Sequence, residues 1–200
     1  MSADAETLRV YDAKAEDYAK LVSTSPDTQL RQFMAALPPG GDVLDLGCGP
    51  GNSAAMMAQT GFSVEAADAS QEMVALAGRQ DGVTARLASF DDVSGEDIYD
   101  GIWANFSLLH ADRADMPRHL AALRLALRAE GVFHIGMKTG SGAERDGLGR
   151  YYAYYTTDEL IGLLGAAGFE PLKTHTGVEK GLAGTMDPWI TLLCHGLCRG

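Results

Sequence analysis

The residue order predicts an α/β protein: a doubly wound, mostly parallel sheet of seven strands, closed by a C-terminal antiparallel hairpin and preceded by N-terminal capping helices. Three observations predict it. From Val43 onward, short apolar runs alternate with helical stripes, the rhythm of a parallel sheet covered on both faces. The first of those runs delivers three closely spaced glycines, Gly47, Gly49 and Gly51. The last two runs are joined by a glycine-containing loop with no helix between them, which makes that pair antiparallel.

The elements follow in order. Leu8, Tyr11, Ala15, Tyr18 and Val22 recur in steps of three and four, one face of a helix. Ser25-Pro26-Asp27 reads as an N-cap, a proline at the first helical position and an acid in the first turn. Leu30, Phe33, Met34 and Leu37 form the stripe of that second helix, which Pro38-Pro39-Gly40-Gly41 ends. Strands are expected at Val43 to Leu46, Phe62 to Asp68, Val83 to Ser89, Tyr99 to Phe106 and Val132 to Lys138. Helices are expected over Asn52 to Thr60, after a Ser70 cap, and along the stripe of Met116, Leu120, Leu123 and Leu127. Thr156 and Glu159 fit a capping box, and the closing strands are Phe169 to Thr176 and Trp189 to Cys198.

Composition narrows the function classes. Two hundred residues with 46% hydrophobic and 22% charged content suit one globular domain. No apolar run approaches the roughly 20 residues of a membrane span, and the acidic start Met1 to Glu6 lacks the features of a secretory signal. A net charge of -11 disfavours nucleic acid and anionic membrane as partners. Cys48, Cys194 and Cys198, an odd number, point to reduced thiols and a cytoplasmic setting. Cys194 and Cys198 invite a metal reading, but strand residues four apart stand roughly 13 Å from each other. No metal site is therefore expected.

Val43-Leu44-Asp45-Leu46-Gly47-Cys48-Gly49-Pro50-Gly51 is the most informative segment. Glycine permits positive φ and close approach to a ligand, and N–H groups opening a helix favour an anionic group. The spacing is G-x-G-x-G, one residue short of the dinucleotide fingerprint, and no Gly-Lys-Ser/Thr follows to make a P-loop. The segment resembles motif I of the class I S-adenosylmethionine-dependent methyltransferases.

That resemblance implies a Rossmann-like fold, S-adenosylmethionine as cofactor, and a single methyltransferase domain over 1–200, with a helical cap at 1–37 and a substrate lid at 139–156. It implies that Asp45, Gly47, Cys48 and Gly49 form the cofactor loop. Asp68, at the end of the second strand, would hold the ribose hydroxyls, with Ala69 beside it and Met73 packing on the adenine. Where the family usually has an Asp that reads the adenine amino group, this chain has Ser89, followed by Phe90, whose backbone N–H can serve the ring; Asp91 is the alternative reader. Asn105 would lie near the methionyl part, and Tyr11 and Tyr18 would sit on a helix that caps the cofactor.

A sulfonium methyl is already electrophilic, so the enzyme chiefly has to position a nucleophile and exclude water. His110, following the fourth strand, is the candidate general base. His119 is expected to face solvent and His134 to be a satisfied core residue. Tyr151, Tyr152, Tyr154 and Tyr155 follow a glycine-rich stretch where a lid belongs, and read first as a hydrophobic cover over the sheet edge. Lys138, Arg145 and Arg150 are placed to meet an anionic group. The leading expectation is methyl transfer to a small-molecule acceptor. A module that binds the cofactor without transfer, and a nicotinamide-dependent oxidoreductase, stand as alternatives.

Overall fold

Val43, Leu44, Asp45 and Leu46 are all buried, the mark of a strand with both faces covered. This strand, β1 (Asp42–Leu46), is an inner strand of the sheet in a computed structural model that describes residues 4–21, 23–181 and 183–198. Ahead of it come α1 (Ala5–Leu21) and α2 (Thr28–Ala35). After it the chain alternates: α3 (Asn52–Gln59), β2 (Ser63–Asp68), α4 (Gln71–Ala77), β3 (Val83–Leu87), β4 (Tyr99–Asn105), α5 (Met116–Ala126) and β5 (Leu127–Lys138). Then follow a small hairpin, β6 (Ala143–Arg145) and β7 (Tyr151–Ala153), and α6 (Thr157–Ala166), β8 (Phe169–Lys180) and β9 (Met186–Gly196).

The seven-stranded sheet has the order β3-β2-β1-β4-β5-β9-β8. The expected fold class is observed. The antiparallel character belongs to β9 alone, which runs against both β5 and β8, so β8 points the same way as the first five strands. The strand order reverses between β1 and β4, and the crevice outside their carboxyl ends is where open α/β sheets bind ligands.

Alternate residues of the central strands feed two cores. Leu44, Leu46, Ile102, Ala104, Phe133 and Ile135 pack under α5 and α6. Val43, Ala66, Trp103 and Val132 pack under α2 and α3, against Leu30, Phe33, Ala54 and Met57. Gly101 opens the second core: a Cβ there would stand 2.8 Å from the Phe33 ring. Phe33 uses that space, fully buried with its ring 5.2 Å from Trp103.

Several local expectations are corrected. The N-cap of α2 is Asp27, whose carboxylate accepts from Leu30 N at 2.7 Å; Pro26 lies outside the helix and fixes the extended entry. Leu127 caps α5 and begins β5, which therefore starts five residues before Val132; Glu130, at φ +60, breaks the pairing with β4 there. His119 is buried, because it stands three residues after Met116 and one before Leu120, on the inward stripe of α5. The glycine-rich stretch after β5 pairs with the tyrosine segment as the β6–β7 hairpin. Val22, the last residue of the first helical stripe, lies outside the described residues. Among the described residues no helix is long and apolar enough to cross a membrane.

Replacing Phe33 with Ala is expected to cost about 3–5 kcal/mol of folding free energy in urea denaturation, because it empties a filled site beneath Trp103. A cost below about 1 kcal/mol would contradict this packing.

Candidate active site

The glycine loop is shaped by contact with the end of β4. Gly47 sits at φ +71, and a Cβ there would lie 2.2 Å from Ser107 Cβ, so no other residue fits without moving backbone. Ser107 Oγ in turn donates to Leu46 O at 2.6 Å. On the other side, the N–H groups of Gly47 and Cys48 both donate to Ala67 O, at 2.7 and 3.1 Å.

Asp68 completes the clamp. Its Oδ2 accepts from Gly49 N and its Oδ1 from Ser70 N, both at 2.9 Å. Each oxygen keeps a lone pair for a ligand hydroxyl. Ser70 caps α4 by accepting from Met73 N, and its hydroxyl donates to Asp12 Oδ1 at 2.5 Å, which ties α1 across the mouth of the site.

Most residues singled out in the sequence meet at one cavity of about 730 Å³, counting its mouth: Tyr11, Tyr18, Gly47, Gly49, Asp68, Ala69, Met73, Ser89, Phe90, Asn105 and His110. Asp45 and Cys48 are not on its wall. They line an adjoining cavity of about 720 Å³ on the other side of the loop, which shares Tyr18, Gly47, Gly49 and Asn105. Ser89 caps a short 3-10 turn, donating its hydroxyl to Asp92 Oδ2 at 2.8 Å, and still faces the cavity. Asp91 is turned away onto Arg118 at 2.6 Å, so of the two only Ser89 lines the cavity.

Burial sets the protonation states. Asp45 is 3% exposed and its Oδ2 has no hydrogen-bond partner among the described residues. Burial, then the Asp68 charge, pushes its carboxyl up to about 7. His134 stacks on Trp103, 3.7 Å between centroids, and burial pushes it down to about 3. It is therefore neutral, and its Nε2–H donates to Asn105 Oδ1 at 3.0 Å. With that oxygen held, the Asn105 amide N–H groups are left for the cavity. His134 is the satisfied core residue expected, with an added role in aiming Asn105.

His110 lies beyond β4 with both ring nitrogens engaged. Nδ1 stands 2.6 Å from Tyr151 O, an acceptor, so it carries the proton. Nε2 then accepts from the Tyr11 hydroxyl at 2.9 Å. Burial, with help from the Arg150 and Lys138 charges, holds His110 down to about 4. Tyr11 Oη also accepts from Arg150 Nη1 at 3.1 Å. Arg150 has only 3% of its side chain exposed and is anchored on Asp146 at 2.6 Å.

A third cavity, of about 730 Å³, adjoins the first and shares Tyr11, Tyr18, Phe106 and His110. Its other walls include Lys138, Arg150, Tyr152, Asp187 and Trp189. Phe106, at the boundary, holds φ +54, a strained value for an aromatic residue. Sequence reasoning missed Phe106, Asp187 and Trp189. Of the three cations expected near an anion, Lys138 and Arg150 are on this wall, with Lys138 paired to Asp187 at 2.6 Å. Arg145 instead ties β6 to Asp4 at 2.7 Å. Among the described residues no group of three or more His, Cys, Asp or Glu is arranged to hold a metal ion.

A carboxyl whose folded pKa lies above its unfolded value binds its proton more tightly when folded, so its destabilising effect grows as pH rises from about 4 towards 7 and stays above that. Asp45→Asn is thus expected to raise the melting temperature at pH 8 and leave it nearly unchanged at pH 4. Equal effects at both pH values would contradict the assignment.

Comparison with known proteins gives this geometry a context. Residues 43–131 match the family described as "Methyltransferase domain". Trans-aconitate 2-methyltransferase of Delftia acidovorans is 37% identical over 108 residues, which is 50% of this chain and 36% of that protein. The chain spans 28% and 36% of the lengths of the curated relatives it matches. The 1,6-didemethyltoxoflavin-N1-methyltransferase of Burkholderia thailandensis, crystallised with 1,6-didemethyltoxoflavin and S-adenosylhomocysteine, superposes with a TM-score of 0.75 at 24% identity, covering 97% of this chain and 88% of that one. An S-adenosylmethionine-dependent methyltransferase of Methanosarcina mazei gives 0.76 at 17% identity, over 88% of this chain and 100% of that one. Residues 43–131 of this chain are thus similar to a methyltransferase domain, and the chain shares its fold with the two solved methyltransferases.

Proposed function

We propose that the protein transfers a methyl group from S-adenosylmethionine, held in the first two cavities, to a small-molecule acceptor in the third. The observation that carries this reading is the Asp68 clamp: a carboxylate with free lone pairs beside a glycine loop at the sheet's switch point. When bound, the cofactor supplies a methyl carbon on a positively charged sulfur, and the electron pair of the broken C–S bond stays on sulfur.

The residues present fit that group. Asp68 takes the ribose hydroxyls, Met73 and Phe90 offer apolar faces to the adenine, and Ser89 meets its amino group. Asp45, with an unpartnered oxygen behind the loop, suits the ammonium of the methionyl end, and the Asn105 amide suits its carboxylate. Tyr11 and Tyr18, ring centroids 6.0 Å apart on α1, close the site from above and exclude water. The hairpin β6–β7 carries Tyr152 and, with the segment 139–156, forms the acceptor-side lid.

A small acceptor fits the aromatic and compensated-charge lining of the third cavity, and a net charge of -11 disfavours nucleic acid as acceptor. The toxoflavin-binding neighbour supports an acceptor of that size. Three free cysteines fit a reducing, cytoplasmic setting.

Calorimetric titration with S-adenosylmethionine and, separately, S-adenosylhomocysteine is expected to show saturable binding to the wild type. Asp68→Ala should weaken it at least about tenfold, which is about 1.4 kcal/mol, with circular dichroism unchanged. Absence of binding to the folded wild type would remove the proposal.

A further inference from the structure

We propose that Tyr11 and His110 form a proton relay on the wall between the cofactor and acceptor cavities, serving an acceptor that arrives with an O–H or N–H proton. This rests on the methyl-transfer reading of the same site. Both side chains line both cavities, so the Tyr11 hydroxyl stands where an acceptor heteroatom and the cofactor's reactive end would meet.

The direction of the relay follows from the hydrogen bonds. Tyr151 O can only accept, which fixes the His110 proton on Nδ1 and leaves Nε2 as a base. Nε2 is occupied by the Tyr11 hydroxyl at 2.9 Å, so His110 reaches the acceptor only through Tyr11. Arg150 Nη1, 3.1 Å from the same oxygen, stabilises the negative charge that Tyr11 gains while its proton is in transit. In the step, the acceptor heteroatom keeps the electron pair of its bond to hydrogen and uses a lone pair for the methyl carbon. Its proton bonds to Tyr11 Oη, and Tyr11's own proton passes to the lone pair of His110 Nε2.

The groups facing His110 explain why it rests uncharged. Tyr11 comes from α1, Lys138 from β5, and Arg150, Tyr152 and Asp146 from the hairpin and its loop. Burial first, and then the nearby Arg150 and Lys138, keep the imidazole neutral, and a bound sulfonium adds a third positive charge. Methyl transfer removes that third charge and the relay places one on His110, so the total charge of the site is unchanged. A histidine too weakly basic to hold a proton at rest can therefore take one as the sulfonium is lost.

Nitrogen-15 NMR of His110 in the full chain tests this without an acceptor. In the free protein the ring is expected to be neutral at pH 7, with its proton on Nδ1. A unit charge about 10 Å away, at an effective dielectric near 20, shifts a pKa by about one unit. At pH 5 the S-adenosylhomocysteine complex should therefore carry about tenfold more imidazolium than the S-adenosylmethionine complex. Tyr11→Phe should move the Nε2 resonance to that of an imidazole nitrogen without a donor, while Nδ1 stays protonated. A proton resting on Nε2, or equal imidazolium in the two complexes, would overturn the relay and leave the cofactor site standing. If neither ligand binds the folded protein, the methyl-transfer reading falls and takes the relay with it.

Discussion

Everything in the site hangs on a half-buried carboxylate that faces two ways. Asp68 receives the N–H of Gly49 from the loop after β1 and the N–H of Ser70 from the start of α4. It thereby fixes the ends of β1 and β2 to each other, beside the point between β1 and β4 where the strand order reverses. Ser70 extends the same connection to Asp12 on α1, so the helix that roofs the cavity is positioned by the element that floors it. Gly47 makes this possible from below, because only a missing Cβ lets the loop pass against Ser107. Removing either the carboxylate or the glycine would loosen the loop, α4 and α1 together.

Burial also governs the chemistry. Asp45, His110 and His134 would each carry charge over part of the ordinary pH range in water, yet each is pushed towards its neutral form. The cations that remain are compensated at short range, Arg150 by Asp146 and Lys138 by Asp187. Such a site presents few uncompensated charges of its own, which suits a ligand that brings one positive charge and gives it up during the reaction. Neutral His134 orients an amide, and neutral His110 receives a hydroxyl, a role that protonation of the His110 ring would end.

The sheet, its order of elements and the glycine loop were legible in the sequence because they depend on local patterns. Alternating apolar runs, glycines at fixed spacing and an acid at a strand end are written in consecutive residues. The Thr156–Glu159 capping box is of the same kind and forms as read. Part of what failed depended on long-range pairing. The β6–β7 hairpin contains glycines and charged residues that give no strand signal, and it forms because Ala143 to Arg145 finds partners in Tyr151 to Ala153. His119 looked polar in an arginine-bearing helix, although its spacing from Met116 already placed it inward. Asp187 and Trp189 reach the third cavity from a strand far along the chain from the glycine loop, so no motif could announce them. At α2 the proline was read two positions too far into the helix, since Ser25 and Asp27 are both good caps and only the backbone decides between them.

The most direct test of the central claim is a crystal structure of the protein with S-adenosylhomocysteine. The expected density lies over the glycine loop, with the ribose hydroxyls on Asp68, the adenine between Met73 and Phe90, and the sulfur facing Tyr11 and His110. A ligand bound elsewhere, or one whose ribose avoids Asp68, would contradict the assignment of this site.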